Sequence, residues 1–445
     1  MRERSANKQG SATPEAPQLR RTIGPTQMAL YGLGSMLGAG IYGLIGKAAG
    51  QAGNAVWLAF VVALVAALLT ALSYASLGSR YPRAAGAAYV TERAYGFSLL
   101  SFMVGIALVC SGLTSIATQS QVFAANIAAL FGLEDMPLSW LALGFLLILT
   151  GIVFRGIRES MWVNVLCALI EAGGLLLVIV VGASYLGSVD YLATPAVPGG
   201  DHAALLVMQA TVLAFFAFIG FEDMINVAEE TREPERTVPL GLMLAMCGAA
   251  FLYIGVAVTA VSVVPWPELA AAPGPITAVV ERAAPSIPPI VFTVITLFAV
   301  ANTALVNYVT ASRLIYGMAR QGLLPERLGD VHAARRTPHL AVAALFLVLA
   351  PLALLGTITE LAAATVLLLL LVFMVVNGAL FILKGRKGEI QGRFEIPRAI
   401  PALGAMVCLV LIVVRVTTGD WRAPALAGAL LFGALVLHIL MQMRR

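Results

Sequence analysis

The sequence predicts an all-α polytopic membrane protein of twelve transmembrane helices, two of them interrupted near mid-membrane. Three observations predict it. Of 445 residues, 60% are hydrophobic and only 11% charged, with a mean hydropathy of +0.91, a balance outside that of soluble domains. Twelve apolar runs follow one another along the chain. The basic residues then divide very unequally between the two faces that those runs define.

The runs occupy roughly 23–46, 55–78, 97–127, 140–154, 163–186, 204–228, 239–264, 287–317, 339–356, 359–383, 399–418 and 424–443, most of them long enough to cross the hydrocarbon core of a bilayer. With the N-terminus inside, all but four of the 28 Lys and Arg fall on the cytoplasmic side; the exceptions are Lys47, Arg282, Arg415 and Arg422. A wrong number of spans would scramble that asymmetry, so both termini are expected in the cytoplasm, with the chain in the cell membrane. Residues 1–20 are polar and carry neither an apolar core nor a small-residue cleavage site, which reads as a disordered cytoplasmic tail and no cleaved signal.

The first run holds Gly34-Ser35-Met36-Leu37-Gly38-Ala39-Gly40-Ile41-Tyr42 at its centre. Three glycines and a serine make a poor helix where unpaired backbone is most costly, so a break there must face protein or a protein-lined cavity. Close helix packing is the plain alternative, since Gly34 and Gly38 have GxxxG spacing. After the second run, Tyr81 to Tyr89 with Thr91 to Tyr95 is too polar for lipid and helical in character, suited to lie against the cytoplasmic mouth. The sixth run carries Phe215-Phe216-Ala217-Phe218-Ile219-Gly220-Phe221-Glu222-Asp223, again a glycine and acids within an apolar segment. It comes five spans after the first, and an odd offset inverts the second unit relative to the first, the inverted repeat of many secondary transporters. Residues 21–190 would then form the first repeat, 200–383 the second, and 398–445 two further helices. The seven prolines between 265 and 289 point to a rigid or partly extended outer cap.

These segments resemble the amino acid–polyamine–organocation (APC) superfamily, and most closely its bacterial relatives of cationic amino acid transporters. The resemblance rests on the stretch 34–42, on 81–89, on Phe218 to Glu222, on Glu229 to Pro239, and on Ser312 to Pro325. It implies the 5+5 inverted-repeat fold of LeuT type plus two C-terminal helices, with helices 1 and 6 broken. It implies a permease working by alternating access on amino acids, with an amino acid/amine antiporter or polyamine carrier as the near alternative and a transporter-like sensor or complex subunit as the distant one.

By the same resemblance Met36, Gly38, Ala39 and Gly40 lie at the substrate, the last three offering backbone amides to its carboxylate, which agrees with the positive end of a half-helix. The carbonyls of Phe216 and Ile219 would take the ammonium, and Phe218 and Phe221 would wall the side chain. Relatives with serine at the place of Ala39 have a hydroxyl contact that this chain lacks. On this reading Gly40→Val should block binding without preventing folding.

Acids inside spans are functional suspects. Glu222 and Asp223 follow the second break; Glu171 lies deep in the fifth run, where some proton-coupled relatives carry lysine. A carboxyl in apolar surroundings can carry a proton, so H⁺ is the expected coupling ion, with a Na⁺ site or a structural pair as the alternatives. Asn302, Thr303 and Asn307 in the eighth run are candidate cavity groups, or ordinary interhelical hydrogen bonds; Ser111, Thr114, Ser115 and Thr118 form a similar stripe in the third. Residues 38–43 spell GxGxxG, but no βαβ unit surrounds them, and GxxxxGK[ST], HExxH and GxSxG are all missing from the sequence. Cys110, Cys167, Cys247 and Cys408 are isolated. The expectation is therefore a carrier and not an enzyme, with no metal or other cofactor and no nucleic-acid partner, its partners being an amino acid and the bilayer.

Overall fold

Apolar periodicity, helix-capping residues and prolines at first turns dictate helices throughout, and the computed structural model is built of them. It describes residues 23–81, 86–133, 135–155, 161–196, 203–320, 322–332, 337–418 and 420–443. The expected tail 1–20, the Pro82–Ala85 part of the second motif, Gln321, and eleven of the basic residues used for topology, Arg83, Arg158 and Arg335 among them, lie outside the described residues.

The order is α1 Pro25–Met36, α2 Ala39–Tyr42, α3 Ile45–Ala52, α4 Val56–Arg80, α5 Gly86–Tyr95, α6 Ser98–Phe131, α7 Leu138–Arg155, α8 Met161–Gly182, α9 Ala203–Phe216, a 3-10 helix Phe221–Glu230, α10 Pro234–Val263, α11 Trp266–Ala271, α12 Pro275–Ala283, α13 Pro289–Arg320, α14 His339–Leu355, α15 Ile358–Leu383, α16 Ala399–Thr418 and α17 Arg422–Met443. Ten helical stretches among the described residues are long and apolar enough to cross a membrane, and α14 is a shorter apolar helix. The protein is thus an all-helical, multi-pass membrane protein. Its one β feature among those residues is an isolated bridge between Ile23 and Thr231.

Local chemistry sets the ends. Thr357 caps α15 by accepting from the Glu360 amide while the Glu360 carboxylate accepts from the Thr357 amide, a reciprocal capping box. Gly132 ends α6 in the left-handed conformation. The proline-rich segment 265–289 holds two short helices, α11 and α12, with extended Ala272 after the first and prolines in their first turns, where a missing N–H is harmless and the fixed φ is already helical.

Two apolar cores organise the bundle. One gathers α1 to α4, α9 and α10; the other gathers most of α6, α7, α13 and α14. Helices α4 and α10 pack along each other, as do α6 and α13, and α15 bridges the cores. Both interruptions belong to the first core, and the first of them also meets α6 and α13.

Candidate functional site

At the first interruption α1 stops at Met36, Leu37 is extended (φ −68°, ψ 136°), and helical geometry resumes at Ala39. Helix α1 is about 18 Å long at 1.5 Å per residue, a little over half of a hydrocarbon core, so the break lies at depth. Backbone groups released there must find partners. The Met36 carbonyl accepts from the Tyr253 hydroxyl of α10 at 2.9 Å, and the Leu37 carbonyl from Thr303 Oγ1 of α13 at 2.7 Å. The Ala39 N–H donates to Gln119 Oε1 of α6 at 3.1 Å. Side chains of three other helices therefore finish the backbone of this one, and the Ala39 amide is not bare, contrary to the expectation from sequence.

The second interruption is tighter. Helix α9 ends at Phe216, and three successive amides, those of Ala217, Phe218 and Ile219, turn back to the carbonyls of Ala214, Phe215 and Phe216 at 3.1, 3.0 and 3.3 Å. The Phe216 carbonyl is thus engaged by Ile219 and not freed as expected, because the chain tightens into 3-10 turns instead of unwinding. Gly220 then takes φ +119°, a conformation that L side chains rarely adopt. Its amide donates to Glu222 Oε2 at 2.9 Å, so that carboxylate caps its own loop.

The two interruptions touch. A β-carbon on Gly220 would lie 2.5 Å from the Ser35 carbonyl oxygen, and one on Gly40 would lie 2.3 Å from Ala217 Cα. The Arg232 amide donates to the Ile23 carbonyl at 2.9 Å, joining the start of α1 to the end of the 3-10 helix. Gly40 therefore faces backbone, which gives it a packing role.

The aromatic candidates separate. Phe218 meets Tyr253 edge-on at 5.2 Å, beside the first interruption, whereas Phe221 packs against Tyr74 and Phe373 at 5.8 and 5.2 Å. They do not share one wall. Met36 is buried and Ile219 half-buried.

Glu171 is fully buried on α8. Its Oε1 is 3.5 Å from Asn302 Nδ2, the long limit of a hydrogen bond, and its backbone carbonyl accepts from the Tyr42 hydroxyl at 2.6 Å. Its Oε2 is buried without a hydrogen-bond partner among the described residues. Glu171, Asn302 and Thr303 are thus brought to the side of the first interruption. Asn307 donates to Ser115 Oγ at 3.0 Å, joining α13 to α6. Asp223 stands beside Glu222 on the 3-10 helix. No cluster of three His, Cys, Asp or Glu that could hold a metal occurs among the described residues.

Gln119, Tyr253 and Tyr42 were not singled out by sequence. A signal existed for Gln119: it continues the Ser111–Thr118 stripe, and a side-chain amide inside a long apolar helix is the criterion that picked Asn302. Tyr42 and Tyr253 look like core aromatics, and nothing local distinguishes them.

A helix whose interrupted backbone is finished by side chains of α6, α10 and α13, and which touches a second interruption inside a multi-pass helical bundle, fits a membrane carrier. The family described as amino acid permease matches residues 23–434, and the chain belongs to that family, within the APC superfamily. It is similar to the branched-chain amino acid permease BcaP of Bacillus subtilis (28% identical, covering 90% of each chain). It is similar also to the methylthioribose transporter of the same organism (28%, 90% of this chain and 89% of that one). Cationic amino acid transporter 4 of Mus musculus is 29% identical over 76% of this chain and 55% of its own length. The protein is a transporter and not an enzyme.

Proposed function

We propose that the protein carries α-amino acids across the cell membrane by alternating access, as a proton-coupled symporter. The observation that carries this reading is the contact between two interrupted helices, Gly40 on Ala217 and Gly220 on Ser35, beside a polar seam formed by Gln119, Thr303, Asn302 and Glu171. Apolar cores on either side of such a seam can rock against each other, because hydrogen bonds across it exchange partners at small net cost.

Adding the interrupted first helix and the shorter α14 to the ten long stretches gives twelve spans, with repeats at 21–190 and 200–383, a closing pair at 398–445, and both termini cytoplasmic. The substrate carboxylate meets the backbone at Gly38 to Gly40, next to Met36. Its ammonium meets the Ile219 end of the second interruption, and Phe218 lies against its side chain. Phe221, Glu222, Asp223 and Asn307 act in the movement between states. BcaP is named for branched-chain substrates, and the apolar Met36 and Phe218 suit an aliphatic side chain.

Uptake by purified protein in liposomes tests the reading: L-leucine, L-lysine and their decarboxylated amines are offered under separate pH and Na⁺ gradients. Accumulation of an amino acid driven by an inward pH gradient is expected. Equal competition by an amine would favour an amine carrier, and binding without flux would favour a sensor.

A further inference from the structure

We infer that Gln119 guards the carboxylate subsite: its amide oxygen holds the Ala39 N–H and yields it to an arriving carboxylate. The inference rests on the amino-acid reading above and names the residue that would enforce it.

Three side chains finish the first interruption, and they differ in chemistry. Tyr253 and Thr303 give protons to the Met36 and Leu37 carbonyls, whereas Gln119 receives one from Ala39. An ionised carboxylate only accepts hydrogen bonds, so it can replace neither hydroxyl. The single exchange open to it is for Gln119 Oε1. That exchange favours the newcomer, because a charged acceptor binds an N–H more strongly than a neutral amide does.

The released side chain is still useful. A β-carbon on Gly38 would lie 3.3 Å from Gln119 Nε2 and 2.8 Å from Thr303 Oγ1, so the amide nitrogen and a hydroxyl both flank the residue beside which the carboxylate arrives. Gln119 is 1% exposed and Ser35 is 7% exposed; the Ser35 hydroxyl has no partner among the described residues. A decarboxylated amine has no acceptor with which to displace Gln119, so the same side chain that admits an amino acid turns away its amine.

The test is the ratio of affinities for an amino acid and its amine, L-leucine against isoamylamine and L-lysine against cadaverine, measured on the purified full chain. The wild type should prefer the acids by roughly ten- to a hundredfold. Gln119→Glu fixes a carboxylate in the subsite and should bring that ratio to about one or below it, with a thermal midpoint close to wild type. An unchanged ratio in folded Gln119→Glu overturns the inference and leaves the amino-acid reading standing. No preference for acids in the wild type overturns both. Should Gln119→Glu not fold, Gln119→Cys supplies a second reading. With no amide oxygen left to displace, its acid-to-amine affinity ratio should fall several-fold below that of the wild type, and an unchanged ratio overturns the inference.

Discussion

Gly40 of the first interrupted helix lies so close to Ala217 of the second that a β-carbon there would fall 2.3 Å from Ala217 Cα and 2.8 Å from its amide nitrogen. Backbone atoms cannot swing aside as a flexible side chain can, so any side chain at position 40 must push the two interruptions apart. Gly40→Ala should therefore lower stability by about 1–3 kcal/mol, read as a lower thermal midpoint. Gly40→Val should fail to give monodisperse protein, which reverses the expectation from sequence that it would fold and merely not bind. A wild-type melting curve for Gly40→Ala would show that the contact carries no weight.

That reversal marks the limit of what the sequence shows. Glycine, serine and acids inside apolar runs are legible because a bilayer charges heavily for them, and so both interruptions and Glu171 are readable one residue at a time. What lies across from a glycine is a tertiary fact. The nine residues from Gly34 to Tyr42 cannot say that Ala217 fills the space beside Gly40, or that Gln119 occupies the Ala39 amide. Tyr253 is unreadable for a related reason: a tyrosine in an apolar helix is normally core, and only the position of the Met36 carbonyl gives its hydroxyl a task. Composition left 265–289 as a rigid or partly extended cap, and could not say that two of its prolines start short helices in first turns that tolerate them.

Thr303 tests how the first interruption is held. Thr303→Val keeps the shape and leaves the Leu37 carbonyl buried without its 2.7 Å donor. The expected loss is about 1–3 kcal/mol, with a matching fall in thermal midpoint. Thr303→Ser restores the hydroxyl and should recover most of it. Equal midpoints for the serine and valine variants would mean that the hydroxyl is not holding the carbonyl.

A strap crosses the face where α4 ends. Glu395 accepts from Arg80 Nε and Nη2, both at 2.7 Å, and pairs with Lys384, while Glu389 holds Arg93 and the Tyr81 hydroxyl. Burial alone would raise the Glu395 pKa. Hydrogen bonds from Arg80, Lys384 and the Gly392 amide outweigh it and push the value from 4.5 down to about 2. A carboxyl depressed on folding contributes fully above its ordinary pKa and loses that contribution as pH falls through the depressed one. Glu395→Gln should therefore cost about 1–3 kcal/mol at neutral pH. The gap in thermal midpoint from wild type should stay constant between pH 5 and 8 and narrow from pH 4.5 towards 2. A gap that varied between pH 5 and 8 would assign the titration to another group.

Coupling is tested at Glu171, whose buried side chain reaches Asn302 while Tyr42 holds its backbone. If this carboxyl takes a proton when the seam opens to one side and releases it on the other, uptake should rise as the outer pH falls and need no Na⁺. Glu171→Gln copies the protonated form in shape and charge, so it should bind substrate with near wild-type affinity and ignore a pH gradient. Exchange of labelled for unlabelled amino acid should persist in it, because exchange moves no net proton. If Glu171 instead binds Na⁺, wild-type uptake will require Na⁺ and the glutamine variant will lose that requirement. If it serves only as a partner for Asn302, the variant will melt earlier with its coupling intact. Uptake and exchange in liposomes under separate pH and Na⁺ gradients distinguish the three outcomes, and pH-driven accumulation by Glu171→Gln at the wild-type rate would remove Glu171 from the proton path.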